Sequence, residues 1–530
     1  RSLVGSEMCI RDSTHGYLDR GAGIFANHLD RICHTYREML GKDTNLFLTS
    51  RKQKTFAMKN RFCLLLLLAA FAVAGCTPRE KAIIILSTND IHAKIERFPQ
   101  LAEAVEEARD TATVVLVDAG DRWTGNAYVD LAREPRRPIV DLMNRLGYDA
   151  GTFGNHEFDS GQAFLGEMLP NFDFEIIGAN ILSDTATFPQ PPAYTIIERD
   201  GLRLGLVGVV TNYDTNNHPA GLDENFAGLT FPDPQMKAAE YADLRDRVDL
   251  LVLVSHMGDE RDVEFATRNG GVYDLIIGGH SHKEIDTTVN GTLITQTGKY
   301  LKNIGVTEVK FRGRKPVSLT FRNVPLATYD PDDDYYEMVE AYFDNPDLNH
   351  PIGSLSATAD KTGLANLFTR LMAERTDSRV GFYHIGGVRL DSMARGGVST
   401  AEIYDLEPFG STVCTVLMTP EQMRRLIMTK FNDPVNVDES HRIDLYSTTP
   451  YTILTDERGE AVDVLFPELA EGRVYKVSIG DYPYKNYADF LYDDGQDTGI
   501  LITDLLLDYF RSHSPAAPDN VMRQQIRPRQ

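Results

Sequence analysis

The chain has 530 residues, 42% of them hydrophobic and 25% charged, with a formal net charge of −23. This composition belongs to a globular protein rather than a fibrous or disordered one, and the length exceeds one ordinary core, which favours two domains. The negative charge excludes a sequence-independent binder of nucleic-acid polymers, which needs a positive surface to displace counterions. A small phosphorylated substrate stays open, because metal ions can supply positive charge locally.

The first recognisable element is a processing signal. Met58-Lys-Asn-Arg61 is a basic start, and Phe62 to Val73 is a short apolar run too brief to span a bilayer as a stable helix. It closes with Val73-Ala74-Gly75-Cys76, which resembles a bacterial lipobox and implies lipidation at Cys76. Residues 58–76 are therefore expected to be a lipoprotein signal peptide, and residues 1–57 a non-native upstream segment with Met58 as the start. The expected location is the cell envelope of a Gram-negative-type bacterium, facing the periplasm or the surface, with the lipid anchor as the only membrane contact. The five cysteines (Cys9, Cys33, Cys63, Cys76, Cys414) form no C-x-x-C pair. Cys414 lies in an apolar run and reads as core, so the mature chain is expected to have no intramolecular disulfide.

Residues 80–330 alternate short apolar runs with amphipathic stretches. Expected strands are Ala82–Ser87, Thr113–Asp118, Leu204–Val210, Leu250–Val254 and Leu275–Ile277, continuous enough to be buried on both faces. Expected helices are Pro99–Ala108, Pro138–Leu146, Gln162–Leu169 and Pro234–Asp246, and the alternation implies an α/β fold around a central sheet. The acidic, Pro-flanked stretch 331–351 reads as a linker helix; it lacks the central Gly and alternating ligands of a calcium loop. A second α/β domain is expected over 352–530, its regular part ending near Phe510 and its tail loose.

Five apolar runs end in metal-ligand residue types. They are Asp90-Ile-His92, Gly120-Asp121, Gly154-Asn155-His156-Glu157, His256, and Gly279-His280-Ser281-His282. Ligands at the carboxyl ends of several strands converge on one crevice of a sheet, and adjacent glycines let the backbone turn sharply. Singly, each reads as well as a turn or cap residue, and Asp118 serves such a turn; the ordered set carries the motif. All the donors are N or O, so Mn²⁺, Zn²⁺, Co²⁺ and Fe remain open.

The order D-x-H, G-D, G-N-H-E, strand-His, G-G-H-S-H resembles the calcineurin-like metallophosphoesterases, and within them the bacterial 5'-nucleotidase/UDP-sugar hydrolase group. The resemblance implies an N-terminal β-sandwich flanked by helices, a linker helix and a C-terminal α/β domain that binds substrate. It implies two divalent metal ions, one held by Asp90, His92 and His282, the other by Asn155, His256 and His280, with Asp121 bridging. Two such cations, roughly 3.5–4 Å apart, clamp an in-line displacement at phosphorus, with a shared water deprotonated as the nucleophile. His156, oriented by Asp159, would stabilise or protonate the leaving oxygen, while Asp159 also reads as the start of the next helix.

In the C-terminal half, His384-Ile-Gly386-Gly387-Val-Arg389 resembles the family's N-x-G-G-I-R, with His in place of Asn, and makes Arg389 the phosphate-binding guanidinium. Pro408-Phe409-Gly410 resembles the segment that supplies one stacking ring, although Phe409 reads equally as core. The second ring falls on Tyr482, with Tyr484 as rival, since the family's glycine-rich turn is absent. The segment Lys361 to Leu367 also departs from the family's N-G-N-L. The implied function is hydrolysis of nucleoside 5'-monophosphates. The alternatives are the same site acting on UDP-sugars, 2',3'-cyclic nucleotides or another organic phosphate, or a lipoprotein that binds without catalysis. Oligomeric state is not legible.

Overall fold

The computed structural model describes residues 80–213, 217–433, 442–487 and 495–529. The signal segment and Cys76 lie outside them. Among the described residues no helix is long and apolar enough to cross a membrane.

The Val/Ile/Leu runs of the N-terminal half form two six-stranded sheets. The first runs Lys315–Pro325, Asn303–Arg312, Glu80–Thr88, Thr113–Asp118, Ala150–Thr152, Glu175–Ile177; the second runs Glu284–Val289, Thr292–Thr297, Leu275–Ile277, Leu250–His256, Leu202–Val210, Tyr194–Arg199. Alternate side chains of both sheets meet in one apolar layer, with Ile83, Ile85, Val115 and Val117 from the first and Leu204, Leu206, Val252 and Val254 from the second. This face-to-face packing is a sandwich. The other face of the first sheet is covered by helices Phe98–Thr111 and Arg137–Leu146, and that of the second by Pro234–Glu240 and Asp259–Arg268. Continuous apolar strands follow from coverage on both faces.

Thr113–Asp118 and Leu275–Ile277 have the expected bounds, and Glu80–Thr88, Leu202–Val210 and Leu250–His256 extend theirs by one to two residues at one or both ends. The expected helix Pro234–Asp246 breaks at Tyr241 into Pro234–Glu240 and a 3-10 turn, Ala242–Asp246. The acidic linker holds helix Asp333–Phe343, capped by the Asp332 side chain on Tyr335 N, followed by Pro346–Asn349. Asp333 and Asp334 occupy the first turn of the former, where the helix dipole favours acids.

Beyond the linker a five-stranded sheet, ordered Leu445–Ser447, Val380–His384, Tyr475–Gly480, Thr412–Met418, Gln496–Leu501, packs with helices Lys361–Thr376, Pro420–Phe431 and Ile502–Ser512. Cys414 is fully buried in it. The tail is not loose: Gln524–Pro528 pairs in parallel with Tyr451–Thr455, and Ala516 N donates to Ser354 O at 2.8 Å. A polar pattern hid that strand, because the sheet it completes leaves most of its side chains exposed.

The halves touch directly. Ala127 N donates to Asp405 Oδ1 at 2.7 Å, Asn486 Nδ2 to Gly221 O at 2.9 Å, and Lys485 pairs with Glu224 at 2.8 Å.

Gly208 marks a tight approach between strands, where an added Cβ would lie 2.3 Å from Ile177 O. Gly208→Ala is expected to lose about 1–3 kcal/mol by overpacking. Gly397→Ala, with nothing within 4 Å of its Cβ, is the control; equal denaturation midpoints for the two would contradict this packing.

Candidate functional site

The loops after the strands carry the motif residues to one point. Asp90, His92, Asp121 and His282 offer ligand atoms that all lie within 4.8 Å of one another, and so do Asp121, His256 and His280. Asp121 belongs to both groups. Its Oδ2 is 3.1 Å from His256 Nε2 and 3.9 Å from His92 Nε2, and Asp90 Oδ1 is 3.5 Å from His282 Nε2. Asn155 Oδ1 is 2.9 Å from His280 Nδ1, which adds it to the second group.

Five of these seven residues sit on left-handed backbone: Asp90 (φ 51°), His92 (49°), Asp121 (57°), His280 (78°) and His282 (59°). Non-glycine residues enter that region at a cost of order 1–3 kcal/mol each, held there by surrounding structure. The restraints are visible. Asp90 N donates to Gly120 O and His92 N to Asp121 O, both at 3.0 Å. The Asn89 amide donates to Asp90 Oδ2 at 2.6 Å and its oxygen accepts from Thr297 N at 2.8 Å. A side chain at residue 154 would put its Cβ 2.1 Å from Asp121 Oδ1, so only glycine fits there.

Beneath the cluster lies an ion network that motif reading did not assign. Glu157 accepts from Asp121 N at 2.9 Å and Arg122 N at 2.8 Å, and the buried Arg122 lies 3.0 Å from Asp118 Oδ1. Asp118 does serve its turn, accepting from Gly120 N at 3.1 Å. The final Glu of G-N-H-E was the available signal for this role.

His256 tests whether cations fit. Its Nδ1 is 2.7 Å from Ala119 O and donates to that carbonyl, so Nε2 carries a lone pair only in the neutral ring. Nε2 is buried 3.1 Å from Asp121 Oδ2. Asp121 and Asp90 overcome burial and raise the His256 pKa to about 10, so ring and carboxylate call for a positive charge shared between them. Imidazole with carboxylate is a divalent-metal donor set that supplies it. Burial holds His92, His280 and His282 below the usual imidazole range, with like-charged neighbours adding to it, so these rings are neutral as ligands must be. Burial lifts Asp90, whereas at Asp121 it is outweighed by His256 and His156, which hold that carboxyl low.

His156 differs. Its Nδ1 is 2.8 Å from Asp159 Oδ2, and this carboxylate together with Asp121 overcomes burial and raises the ring's pKa. Asp159 also stands two residues before helix Gly161–Met168, whose N-cap is Ser160.

The C-terminal domain closes over this centre. Arg389 Nη2 reaches 3.3 Å from His92 Nδ1, and Phe409 stacks on His156 with centroids 5.8 Å apart at 26°. Phe409 is half-buried, not core. It lines a cavity of about 230 Å³ with Asn155, His156, Arg389, His384 and Tyr482. Tyr482 lies 4.9 Å from the His384 ring, while its rival Tyr484 packs against the domain core. His384 Nδ1 is buried without a partner. Lys430, Arg442 and Asp444 line the same cavity and carried no motif signal.

Two stacked sheets thus carry a carboxylate–imidazole cluster at one rim, and a second domain reaches it. Residues 83–284 match the calcineurin-like phosphoesterase family and residues 345–464 the 5'-nucleotidase C-terminal domain. The chain therefore carries a domain of the calcineurin-like phosphoesterases followed by one of the 5'-nucleotidase C-terminal type. It is 25% identical over 462 residues to Endonuclease YhcR of Bacillus subtilis (strain 168), covering 75% of this chain and 36% of that one. It is 23% identical over 518 residues to a 5'-nucleotidase of Vibrio cholerae, covering 82% and 91%. The chain thus spans 36% and 27% of the length of its two Bacillus relatives and most of the Vibrio one. Its fold matches that of a 5'-nucleotidase precursor from Thermus thermophilus with a TM-score of 0.72 at 20% identity, over 84% of this chain and 99% of that one.

The turn bearing Phe409 rests on Glu407, which is fully buried and accepts from Gly410 N at 3.2 Å and Ser411 N at 3.4 Å. Burial raises its pKa from 4.5 to about 7. The folded state therefore keeps a proton that the unfolded chain releases, and stability falls as pH rises from about 4.5 to about 7. Asp90, Asp118, Asp262 and Asp405 are raised into the same range and add to this decline. Glu407→Gln should therefore make it shallower in denaturation experiments without abolishing it; an unchanged slope would exclude a contribution from Glu407.

Proposed function

We propose that this chain hydrolyses phosphomonoesters, nucleoside 5'-monophosphates foremost, at a centre of two divalent cations. The convergence of Arg389 and Phe409, from the second domain, on the candidate ligands and His156 carries this reading. Asp90, His92 and His282 would hold one cation, Asn155, His256 and His280 the other, with Asp121 shared. Mn²⁺, Zn²⁺, Co²⁺ or Fe would fill them. Such ions, when bound, supply Lewis-acid charge to phosphoryl oxygens and lower the pKa of water.

The chain's own groups divide the remaining work. Arg389 presents a planar fork suited to phosphoryl oxygens. His156, kept protonated by Asp159, donates a proton to the leaving oxygen and thereby spares an alkoxide. Phe409 offers a ring face to a base, and Tyr482 lines the wall of the same cavity. The 5'-nucleotidases among the relatives favour the monophosphate. A second reading keeps the centre and changes the substrate to a UDP-sugar, a 2',3'-cyclic nucleotide or another organic phosphate. It is favoured by His384, which lines the cavity where the resemblance calls for Asn and so changes the polar groups offered to a substrate. A non-catalytic lipoprotein is disfavoured, because all seven candidate ligand positions are filled and adjacent.

Phosphate release from AMP, UMP, UDP-glucose, 2',3'-cyclic AMP and an aryl phosphate tests both readings. Release should require added metal, vanish in EDTA and be fastest on the 5'-monophosphates. Asp121→Ala should abolish it together with metal binding, and His156→Ala should lower kcat by about 10²–10⁴ while metal content stays unchanged. Full activity in both variants would overturn the assignment.

We propose further that the protein is exported and anchored through a lipid on Cys76. Palmitate labelling and membrane fractionation should show a label that Cys76→Ser loses as the protein moves to the soluble fraction. An unlabelled wild-type chain would refute the anchor.

A further inference from the structure

Arg389 borders three cavities, one of them at the candidate metal ligands themselves. A second is the cavity shared with His156 and Phe409; the third, of about 360 Å³, opens beyond it on the side of His282 and Tyr300. Lys299 enters this third space from the phosphoesterase domain, and Lys361, Arg389 and Arg442 from the C-terminal domain. Asp391 is the one acid among its described lining residues, and its side chain is 83% exposed.

Four cations about one cavity run against the composition of a chain with net charge −23, and the contacts of Lys299, Lys361 and Arg389 leave these three largely uncompensated. Lys361 donates to Val388 O and lies 3.4 Å from Asp391 Oδ1. Lys299 Nζ rests 4.7 Å above the Tyr300 ring, and no carboxylate lies within ion-pair distance of Lys299 or Arg389 among the described residues. Burial lowers the Lys361 pKa to about 8, and the charges of Arg389 and Lys299 act in the same direction. Like charges gathered at a desolvated wall destabilise the fold unless an anion joins them. Tyr300 meets the His92 ring edge-on at 5.5 Å, so the cavity shares a wall with the candidate metal ligands.

We propose that this third cavity is an anion subsite for a phosphate-class group, selecting substrates that carry a second phosphate beside the one bound at the metal centre. The subsite itself stands on the cation geometry; the substrate preference rests on the phosphoesterase reading. Arg389 lies between the two places and can contact both groups of a pyrophosphate. A dianion matches several point charges and a guanidinium fork better than a carboxylate does.

The test uses the full chain and the variant Lys299→Gln/Lys361→Gln. Calorimetry with inorganic pyrophosphate on EDTA-treated protein should show binding that the variant weakens about tenfold or more, from the loss of two charge-assisted contacts. Asp391→Asn should strengthen it, a gain that misfolding cannot produce. With metal restored, the double variant should raise KM for ADP about tenfold and leave KM for AMP within about twofold. Pyrophosphate binding unaffected by all three substitutions would overturn the subsite, and equal losses on ADP and AMP would overturn the preference. Inorganic phosphate binding that tracks the substitutions, without any preference for ADP, would identify free phosphate as the occupant and also overturn the preference. If no phosphoester is turned over with any metal while pyrophosphate binding still follows the lysines, the hydrolase reading fails and the subsite stands.

Discussion

Asp121 is 1% exposed, stands on left-handed backbone and faces His92, His156 and His256 at 3.1–4.0 Å. A carboxylate removed from water is held only if opposite charge and hydrogen bonds replace its hydration. Much of the surrounding structure meets that need. His156 N donates to Asp121 Oδ1 at 2.9 Å, while Glu157 and Arg122 pin the loop from below. Strain at five of the seven candidate ligands is tolerable because two apolar sheets, closed on both faces, fix where each loop begins. The sandwich is rigid so that its rim need not be relaxed.

The imidazoles around Asp121 separate into two kinds by environment. Burial lowers His92, His280 and His282, whereas Asp159 raises His156 and Asp121 raises His256 to about 10. One residue type thus titrates in both directions within a single cluster, according to whether a carboxylate facing the ring outweighs its burial. The second domain adds what the rim lacks. Arg389 brings a permanent cation and Phe409 a flat apolar face, through the contacts at Ala127, Glu224 and Gly221 that hold the domains together.

How far these features were legible depends on whether their determinants were local. Strands such as Thr113–Asp118 and Leu275–Ile277 follow from continuous apolar runs, because burial on both faces leaves the pattern no polar positions. The candidate ligands were legible because they cluster at strand ends, where Asp121, Asn155 and His280 each directly follow a glycine. Gln524–Pro528 was missed because four of its five residues are exposed, and it is held by strand pairing and by the buried Gln524 amide donating to Ser447 O at 3.0 Å. The break at Tyr241 was missed because periodicity continues across a 3-10 turn. Lys430 lies on helix Pro420–Phe431 and Arg442 and Asp444 on the segment before strand Leu445–Ser447, and they reach the cavity only through the tertiary fold. Glu157 was quoted within its motif, yet its bond to the Asp121 loop needs the two loops in space.

Charge places a last constraint on how such a protein meets its substrate. With 77 acidic and 54 basic residues the chain presents a negative field to an incoming phosphate. Beyond about 8–10 Å that field is screened at physiological salt, so capture is decided inside the cleft. There cations and acids stand side by side: Arg389, Lys430 and Arg442 line one cavity with Asp159, Asp444 and Asp481, and Lys299 and Lys361 stand about the next. A low-dielectric cleft strengthens the local field of whichever charges line it. An acidic surface can therefore coexist with an anion-binding site, because cations inside a cleft act at short range where the outer field is screened.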